Sequence, residues 1–437
     1  MSNSALERAL NTVANFANKR ATTLSELPAL NEPVVNIADF SSNDYLSFAS
    51  DPRVRDNFLK KLQGEECILG SRGSRIQDGN TPLIVRLEQR LQKFFNAPSC
   101  LIYNSAYEAN CGLFRALPQP GDVVVVDELA HASIHDGLRL SKVRESVIFL
   151  RHNSVKHLRQ ILSELVSTRP AIKGGRSSVF VITEGIYSMH GDFVPLKEIS
   201  SAMKQILPPG VGQLYVDETH SVGVIGEQGE GLVHMLGMED EVQLRVQGFG
   251  KAMGTSGGVL LCSPTVRHYL LHACRNQVFS TASSQSNIIA MDNTIDMLES
   301  SIGREQIRKV HQISVYARRS IVQMVQNVPP QILRLEMDGP HLCIEGFYSP
   351  MVPLVTPLAV SLAGYLTASG YTFREMTQPI VPKGHERIRW TFHAANTTEE
   401  VDKFLGTLAR WVKKQILEMQ SEVPQDAKAG MGVNAKL

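Results

Sequence analysis

Short apolar segments alternate with helical patterns between residues 100 and 262, and no other feature of the 437-residue chain restricts its fold as strongly. The apolar segments are predicted strands, at residues 100–103, 123–126, 147–150, 179–183, 214–216 and 259–262. Helical patterns such as 106–117 and 155–166 lie between them. Continuous apolar strands separated by helices are typical of a mostly parallel sheet covered on both faces. The prediction is an α/β fold.

Polar side chains follow four of the predicted strands at the point where each strand ends. Ligands bind to parallel sheets outside the carboxyl ends of the strands, so these side chains are expected to line one pocket. Ala106 and Tyr107 also open a helix there, and its N-terminal amides suit a phosphate. Taken alone, each histidine is more often a structural residue. The polar residues are Asn104, Ser105 and Glu108; Asp127, Glu128, His131 and Ser133; Glu184, Ser188, His190 and Asp192; and Asp217, Glu218 and His220.

A single lysine, Lys251, lies in the glycine-rich segment 246–258. Glycine allows positive φ and close approach of a ligand to the backbone. A lysine in such a loop is a candidate Schiff-base residue if burial or a neighbour activates it. A surface turn with a solvated lysine explains this segment equally well when it is taken alone. The upstream strand end with Asp217 and His220 favours the first interpretation.

Composition excludes several classes of protein. The formal net charge of +1 argues against a nucleic-acid-binding surface. The six cysteines are widely spaced with no C-x-x-C pair, which predicts reduced thiols and neither a disulfide framework nor a metal site. Because no apolar run is long enough to span a bilayer and the N-terminus has no signal-peptide core, we expect no membrane association.

The pattern divides the chain into four parts. Residues 1–45 are predicted to be an N-terminal arm with an amphipathic helix at 4–20, followed by a short strand at 39–46 that runs into a turn. Residues 46–300 form the large domain and residues 301–420 a smaller α+β domain. The tail 421–437 is polar, has no apolar period and is expected to be disordered.

Eight sequence blocks resemble the α-oxoamine synthases, which are pyridoxal 5'-phosphate (PLP) enzymes of the aspartate-aminotransferase fold type, also called fold type I. The resemblance implies a large, mostly parallel sheet domain and a smaller C-terminal α+β domain. The matching blocks occur in the family's order, and they are FSSNDYL (40–46), GSRGSR (70–75), NSAYEANCG (104–112), DELAHASIHDGLRLS (127–141), TEGIYSMHGDFVPL (183–196), DETHSVGVIGEQGEG (217–231), GFGKAMGTSGG (248–258) and ERIRWTFHAANT (386–397).

The resemblance also assigns catalytic and cofactor-binding roles. Lys251 would form the Schiff base with the cofactor and then transfer the proton at the substrate Cα. Asp217 would pair with the pyridine nitrogen and keep it protonated. His131 would stack on the cofactor ring, His220 would hydrogen-bond its phenolic oxygen, and Ser188 would lie near the same oxygen.

For the phosphate, the resemblance implies the amides or packing of Ala106 and Tyr107. Thr281 resembles a residue that reaches the phosphate of the neighbouring subunit, so the chain is expected to form a homodimer with its active sites at the interface.

For the substrates, the resemblance assigns Arg389 to the amino-acid carboxylate, since a guanidinium binds it in a bidentate manner. Arg387 is a weaker candidate on the same face of its predicted strand. Asn43 and Arg20 correspond to positions near the acyl substrate, and His131 would also contact the substrate.

Three positions depart from the family pattern. Gly248 stands where relatives usually have threonine or serine, which removes a hydroxyl ligand of the phosphate; Thr281 and Thr255 are candidates to replace it. Thr219 replaces the usual alanine, and His190 replaces the usual aspartate. These changes leave the cofactor chemistry intact and put the acyl specificity in doubt.

Within the family, the chain is most similar to the enzymes that condense L-alanine with pimeloyl-CoA to form 8-amino-7-oxononanoate in biotin biosynthesis. One alternative is a sister enzyme with another pair of amino acid and acyl-CoA. A non-catalytic partner subunit is the other, and the joint presence of Lys251, Asp217, His131 and His220 argues against it.

The sequence ends in Ala435-Lys436-Leu437, a variant of the Ser-Lys-Leu address that the peroxisomal import receptor reads. A peroxisomal location is therefore expected, with the cytoplasm as the alternative.

Overall fold

The computed structural model describes residues 38–66, 68–336, 343–373, 375–378 and 380–421. The predicted helix at 4–20, Arg20, the tail 422–437 and its last three residues lie outside this part of the chain. None of the helices within the described ranges is both long and apolar enough to cross a membrane.

A seven-stranded sheet forms the centre of the large domain. Six strands run in one direction, and only β7 is antiparallel to its neighbours β1 and β6. The predicted mostly parallel sheet is confirmed. The strands are β1 (Ser99–Tyr103), β2 (Val123–Asp127), β3 (Val147–Leu150), β4 (Val179–Glu184), β5 (Gly212–Asp217), β6 (Leu244–Gly248) and β7 (Gly258–Cys262), in the order β1-β7-β6-β5-β4-β2-β3.

Helices cover both faces of this sheet. Val123 and Val125 pack into one buried cluster, and Val124 and Val126 pack into the other. Alternate residues of a strand point to opposite faces, so a wholly apolar strand requires cover on both sides. The helices of the large domain are α1 (Pro52–Gln63), α2 (Pro82–Phe94), α3 (Ala106–Ala116), α4 (Ala132–Arg139), α5 (Val155–Thr168), α6 (Pro170–Lys173), α7 (Leu196–Ile206), α8 (Leu232–Met235), α9 (Pro264–Ala273), α10 (Arg275–Phe279) and α11 (Gln285–Glu299), with a 3-10 turn at Arg144–Ser146.

The sequence prediction missed β6, the strand that leads to Lys251. Arg245 and Gln247 interrupt its apolar pattern, yet both side chains are buried. Arg245 donates to the carbonyls of Phe95 and Asn96, each at 3.1 Å, and Gln247 donates to the buried Glu218 at 2.7 Å. Buried polar groups are tolerated when they are hydrogen-bonded, and these partners come from distant parts of the sequence.

The C-terminal domain consists of a four-stranded antiparallel sheet, a hairpin and three helices. Its core packs Trp390 against Phe404 with ring centroids 4.5 Å apart. The sheet has the order β12-β13-β11-β8, and its elements are α12 (Ser301–Val325), β8 (Arg334–Leu335), β9 (Cys343–Ile344), β10 (Phe347–Tyr348), β11 (Met351–Val355), α13 (Ala359–Ala368), β12 (Glu375–Met376), β13 (Arg387–Thr391) and α14 (Thr398–Ser421).

The predicted strand at 39–46 is wrong, because this segment forms a series of turns. It runs beside the end of β13: the amide of Thr391 donates to the carbonyl of Phe40 at 2.9 Å, and the amide of Ala394 donates to that of Tyr45 at 2.8 Å. These bonds hold Asn43 and Tyr45 where the two domains meet.

Candidate active site

Asp217 ends β5, and its carboxylate is held by two donors. Asn110 Nδ2 donates to one oxygen at 2.8 Å, and the amide of Thr219 donates to the other at 2.9 Å. Asn110 is buried on α3, and its Oδ1 accepts from the hydroxyl of Tyr215, which fixes the orientation of the amide. Asp217 therefore presents a positioned negative charge at the carboxyl end of the sheet.

The same network orients His131, which immediately precedes α4. Asn110 Nδ2 also contacts Ser133 Oγ at 3.0 Å. The Nδ1 atom of His131 accepts from the amide of Ser133 at 3.2 Å and lies 2.7 Å from its hydroxyl. Because Nδ1 is an acceptor, the proton of the neutral ring is on Nε2. Burial lowers the pKa of His131, which favours this neutral form.

Lys251 begins a second chain of contacts. Its Nζ atom lies 2.6 Å from His220 Nε2, and His220 Nδ1 lies 2.7 Å from the hydroxyl of Tyr45. Burial lowers the pKa of Lys251 to about 8, against the attraction of Asp217 and Glu184. Burial also lowers the pKa of His220 and raises that of Tyr45. A neutral imidazole thus accepts from the lysine, and the lysine loses its proton more readily than an exposed one.

Arg389 of β13 extends this chain into the second domain. Its Nη2 donates to Asn43 Oδ1 at 2.9 Å, and Asn43 Oδ1 also accepts from Tyr45 at 3.3 Å. Its Nη1 donates to the carbonyl of Ser188 at 3.1 Å. Within the described ranges Arg389 forms no ion pair, so its charge remains available to an anionic substrate.

Arg387, the weaker candidate for the substrate carboxylate, already pairs with an acidic side chain. Its side chain is completely buried, and its Nη2 lies 2.8 Å from Glu336. It also donates to the carbonyl of Met189 at 3.0 Å. His190 lies in the same cluster, with Nε2 3.4 Å from Glu336. The expectation that Arg387 serves the substrate is therefore wrong, since the partly buried carboxylate of Glu336 already pairs with it.

The N-terminus of α3 offers the predicted phosphate position. Ala106 and Tyr107 begin the helix, and Ser105 caps it by accepting from the amide of Glu108. A Cβ at Gly258 would lie 2.5 Å from the amide nitrogen of Ala106. Only glycine therefore lets the backbone of Ser105 and Ala106 pack this closely on β7. The amides at the terminus of α3 are suited to an anion. Tyr107 is 48% exposed, and its hydroxyl donates to Asp136.

The remaining predicted residues lie at the edge of this region. Thr281 is exposed after α10, and its carbonyl accepts from Asn104 Nδ2 at 3.3 Å. Ser188 contributes its carbonyl to Arg389, and none of its described contacts involves its hydroxyl. The amide of Thr255 donates to the carbonyl of Phe249 at 3.1 Å.

Sequence reasoning missed two residues of the site, Tyr45 and Asn110, and it placed Ser133 and Glu184 in the pocket without giving them a role. Tyr45 and Asn110 lie inside blocks that carry the resemblance, but nothing in the sequence distinguishes them from structural residues. Ser133 was only one of several polar residues after a strand. Glu184 is buried at the end of β4, and burial together with Asp217 raises its pKa.

A lysine of lowered pKa, a positioned aspartate at the next strand end and a sheet with one reversed strand define the fold type I class of PLP-dependent transferases. The donors present fit the cofactor: Lys251 for the aldehyde, Asp217 for the ring nitrogen, His131 for the ring and the α3 terminus for the phosphate. The chain belongs to the aminotransferase class I and II family, whose model matches residues 35–408. It is an α-oxoamine synthase, a PLP-dependent acyltransferase.

Relatives of known sequence support this assignment. The chain is 37% identical over 379 residues to 8-amino-7-oxononanoate synthase of Emericella nidulans, covering 86% of this chain and 89% of the relative. It is 32% identical over 386 residues to aminoacyl transferase sphA of Aspergillus fumigatus, covering 86% and 81%. Serine palmitoyltransferase of Sphingomonas wittichii has the same fold, with a TM-score of 0.76, 24% identity and coverage of 93% and 98%.

Proposed function

We propose that the chain condenses L-alanine with pimeloyl-CoA to form 8-amino-7-oxononanoate, CoA and CO2 in biotin biosynthesis. The observation that carries the proposal is Arg389, whose guanidinium has no acidic partner among the described side chains and is linked to Lys251 through Asn43, Tyr45 and His220. A carboxylate binder connected to a proton-transfer lysine suits an α-amino acid. The identity to the Emericella nidulans enzyme supports this substrate pair.

Each residue of the site has a separate role in the proposed reaction. PLP, when bound, supplies the electron sink that stabilises negative charge at the substrate Cα. Arg389 holds the amino-acid carboxylate, and Lys251 removes the proton at Cα and later returns one. His220 and Tyr45 hold the lysine amine at that position, and Asp217 keeps positive charge on the ring nitrogen.

The atoms balance over the whole reaction. A carbon–carbon bond forms between the Cα of alanine and the acyl carbon, and the thioester C–S bond breaks. CoA leaves as a thiol, the alanine carboxyl group leaves as CO2, and a proton replaces it at Cα.

A sister α-oxoamine synthase activity is the second candidate. It is favoured by the 32% identity to aminoacyl transferase sphA and by the departures at Thr219 and Gly248, which lie beside the cofactor site. The identities of the amino acid and of the acyl chain distinguish the two candidates.

A substrate panel tests the proposal. The holoenzyme is incubated with L-alanine, glycine or L-serine in combination with acetyl-, succinyl-, pimeloyl- or palmitoyl-CoA, and thiol release is measured. The highest kcat/KM is expected for L-alanine with pimeloyl-CoA, and mass spectrometry should find 8-amino-7-oxononanoate. A higher value for another pair would contradict the proposal.

We also propose a homodimer. Leu69 and Phe279 expose 76% and 71% of their surface, and both flank segments that are hydrogen-bonded to each other. The amide of Gln285 donates to the carbonyl of Leu69 at 2.7 Å, and the amide of Ala282 donates to that of Gly73 at 2.9 Å. Such exposed apolar side chains on an ordered surface support an interface. Thr281 lies on this surface, as expected if it serves the partner's phosphate.

Mixed subunits test this arrangement. A Lys251→Ala subunit paired with a Thr281→Ala subunit has one site with both changes and one with neither. Activity should therefore rise above that of either parent when the two are refolded together. An active monomer in sedimentation experiments, or no recovery on mixing, would contradict the proposal.

The peroxisomal location stays a prediction that rests on residues 435–437. An N-terminal fluorescent fusion of the full chain should coincide with a peroxisome marker, and removal of these three residues should make the signal diffuse. A diffuse signal from both fusions would assign the enzyme to the cytosol.

A further inference from the structure

Five side chains form one chain of hydrogen bonds between Lys251 and Arg389. Lys251 Nζ lies 2.6 Å from His220 Nε2, and His220 Nδ1 lies 2.7 Å from the hydroxyl of Tyr45. This hydroxyl lies 3.3 Å from Asn43 Oδ1, to which Arg389 Nη2 donates at 2.9 Å. Tyr45 is completely buried at the centre of the chain. Both ends of the chain are cationic, and this allows the protons between them to be placed one by one.

The cationic ends determine where these protons lie. An ammonium and a guanidinium donate hydrogen bonds but cannot accept them. The atom of Asn43 that faces Arg389 is therefore its oxygen, and His220 Nε2 accepts from the ammonium of Lys251. Burial lowers the pKa of His220, so its ring is neutral and carries a single proton, on Nδ1. That proton is donated to the oxygen of Tyr45, whose own hydrogen is left for Asn43 Oδ1.

The same arrangement is favoured when Lys251 loses its proton. The amine, the imidazole, the phenol and the guanidinium then still make four hydrogen bonds along the chain. If the imidazole and the phenol reversed their protons, Tyr45 would donate to His220 and no longer to Asn43, and only three of the four bonds would remain. The reversed imidazole would also donate from Nε2 into the lone pair of the amine. In the favoured arrangement the amine donates instead, and its lone pair is free to take up a proton.

We propose that Tyr45 is a positioning residue of the site: its oxygen holds the proton of His220 on Nδ1, and this leaves the lone pair of Lys251 directed away from the imidazole. In the proposed reaction that lone pair removes the proton at the substrate Cα. The use of the lone pair thus rests on the proposed function, whereas the placement of the protons is a property of the apoenzyme. A tyrosine suits this position because its hydroxyl accepts from one neighbour while it donates to another.

The tautomer of His220 in the apoenzyme tests this placement, since Tyr45→Phe keeps the aromatic ring but removes the acceptor at Nδ1. Above the pKa of Lys251, which is about 8, the wild type should carry the imidazole proton on Nδ1. In the variant the proton should move to Nε2, because a buried N–H without an acceptor is less well tolerated than a buried acceptor without a donor. Nitrogen NMR of isotope-labelled histidines distinguishes the tautomers, and the His220 signals are identified by their absence in His220→Gln. A proton on Nε2 in the wild type, or on Nδ1 in the variant, would overturn the proposal.

The direction in which the pKa of Lys251 changes separates this role from a merely structural one. In Tyr45→Phe the ammonium is hydrogen-bonded only if Nδ1–H is left without an acceptor, so the pKa should fall by about one unit from its value of about 8. Packing loosened by the variant would instead admit water and raise the pKa, because burial is what lowers it. The rate at which acetic anhydride acetylates Lys251 in the apoenzyme is measured against pH by mass spectrometry of the labelled peptide. An unchanged or raised pKa would contradict the proposed role.

Met351→Leu controls for changes in packing. The Sδ atom of Met351 is another neighbour of the Tyr45 hydroxyl, at 3.3 Å, and its loss leaves the chain from Lys251 to Arg389 intact. Both apoenzyme measurements should therefore match the wild type. Changes like those in Tyr45→Phe would assign the effect to packing and refute the role of the hydroxyl. The charged and titratable groups around Lys251 are the same in both variants, and they are Asp217, Glu184, Arg389, His131 and His220.

Exchange of the Cα hydrogen of L-alanine for deuterium tests the use of the lone pair in the holoenzyme. The exchange should be about ten- to a hundredfold slower in Tyr45→Phe, because the base is no longer directed at the substrate. An exchange rate equal to that of the wild type would overturn the proposal. If L-alanine is not the substrate, the wild type itself will not exchange this hydrogen, while the apoenzyme results are unaffected. Failure of the proposed function is thereby distinguished from failure of the role of Tyr45.

Discussion

Replacing Asp217 by asparagine separates the structural role of its carboxylate from its charge. The carboxylate accepts from Asn110 at 2.8 Å and from the amide of Thr219 at 2.9 Å. Asparagine has only one acceptor oxygen, so its own amide group must face one of these donors. Asn110 cannot turn to compensate without loss, because its Oδ1 accepts from the hydroxyl of Tyr215.

One buried donor is therefore left without an acceptor in Asp217→Asn. The cost of such a group is about 1–3 kcal/mol, and the free energy of unfolding of the apoenzyme should fall by that amount. Urea unfolding of the apoenzyme at fixed pH measures it. The holoenzyme should retain PLP and lose most of its turnover, because a neutral partner no longer keeps the ring nitrogen protonated.

The matched control exchanges the two residues. In Asn110→Asp combined with Asp217→Asn, the amide introduced at the end of β5 donates to the carboxylate introduced on α3 and accepts from Thr219. That carboxylate can still accept from Tyr215, and only the bond to Ser133 is lost. Most of the stability should return, whereas turnover should stay low because the charge has moved away from the end of β5. Unchanged stability in the single variant, or recovered turnover in the exchanged pair, would refute the reasoning.

Three further predictions concern Lys251, Arg389 and His152. Lys251→Ala should fold but lose turnover and the cofactor that borohydride traps on the wild type; cofactor trapped on another lysine would contradict the assignment. Arg389→Lys should raise the KM for the amino acid about ten- to a hundredfold, with a smaller effect on kcat, because a bidentate contact to the carboxylate is lost; an unchanged KM would exclude Arg389 from this contact. Although burial opposes it, hydrogen bonds to Asp127 and Asp192 raise the pKa of His152 from 6.5 to about 10. The ionised ring thus stabilises the fold fully below pH 6.5 and loses this effect as the pH rises towards 10, so the difference in unfolding free energy between wild type and His152→Gln should shrink over that range; a constant difference would contradict it.

The sheet was predictable because its pattern is local. Val123 to Val126 are apolar without interruption, and such a run requires cover on both faces whatever the rest of the chain does. The strand β6 was not predicted, because Arg245 and Gln247 interrupt its apolar pattern and their hydrogen-bond partners are not local. Their partners are Phe95, Asn96 and Glu218, and no local pattern shows that distant groups will satisfy a buried side chain.

The site was predictable only in part for a related reason. Lys251, Asp217 and His220 stand in segments whose composition marks them. Asn110 lies on the buried side of α3, and its role depends on Tyr215 and Ser133, which are brought to it by the fold. Residues that orient other residues leave no pattern of their own in a single sequence.

The departure at His190 lies in the cluster of charges around Arg387. The carbonyls of Ser188 and Met189 accept from Arg389 and Arg387, so the loop 188–190 ties β13 to the large domain. Both arginines share one face of β13, yet only Arg387 has a carboxylate, Glu336 at 2.8 Å, among the described side chains.

His190 joins that ion pair, 3.4 Å from Glu336, and its ring centre lies 5.3 Å from that of His152. Its described contacts are with this cluster and not with Arg389 or Asn43. A change at His190 therefore acts on how the C-terminal domain is held, and only through that on Arg389. The effect of this departure on acyl specificity stays a prediction, which the substrate panel tests.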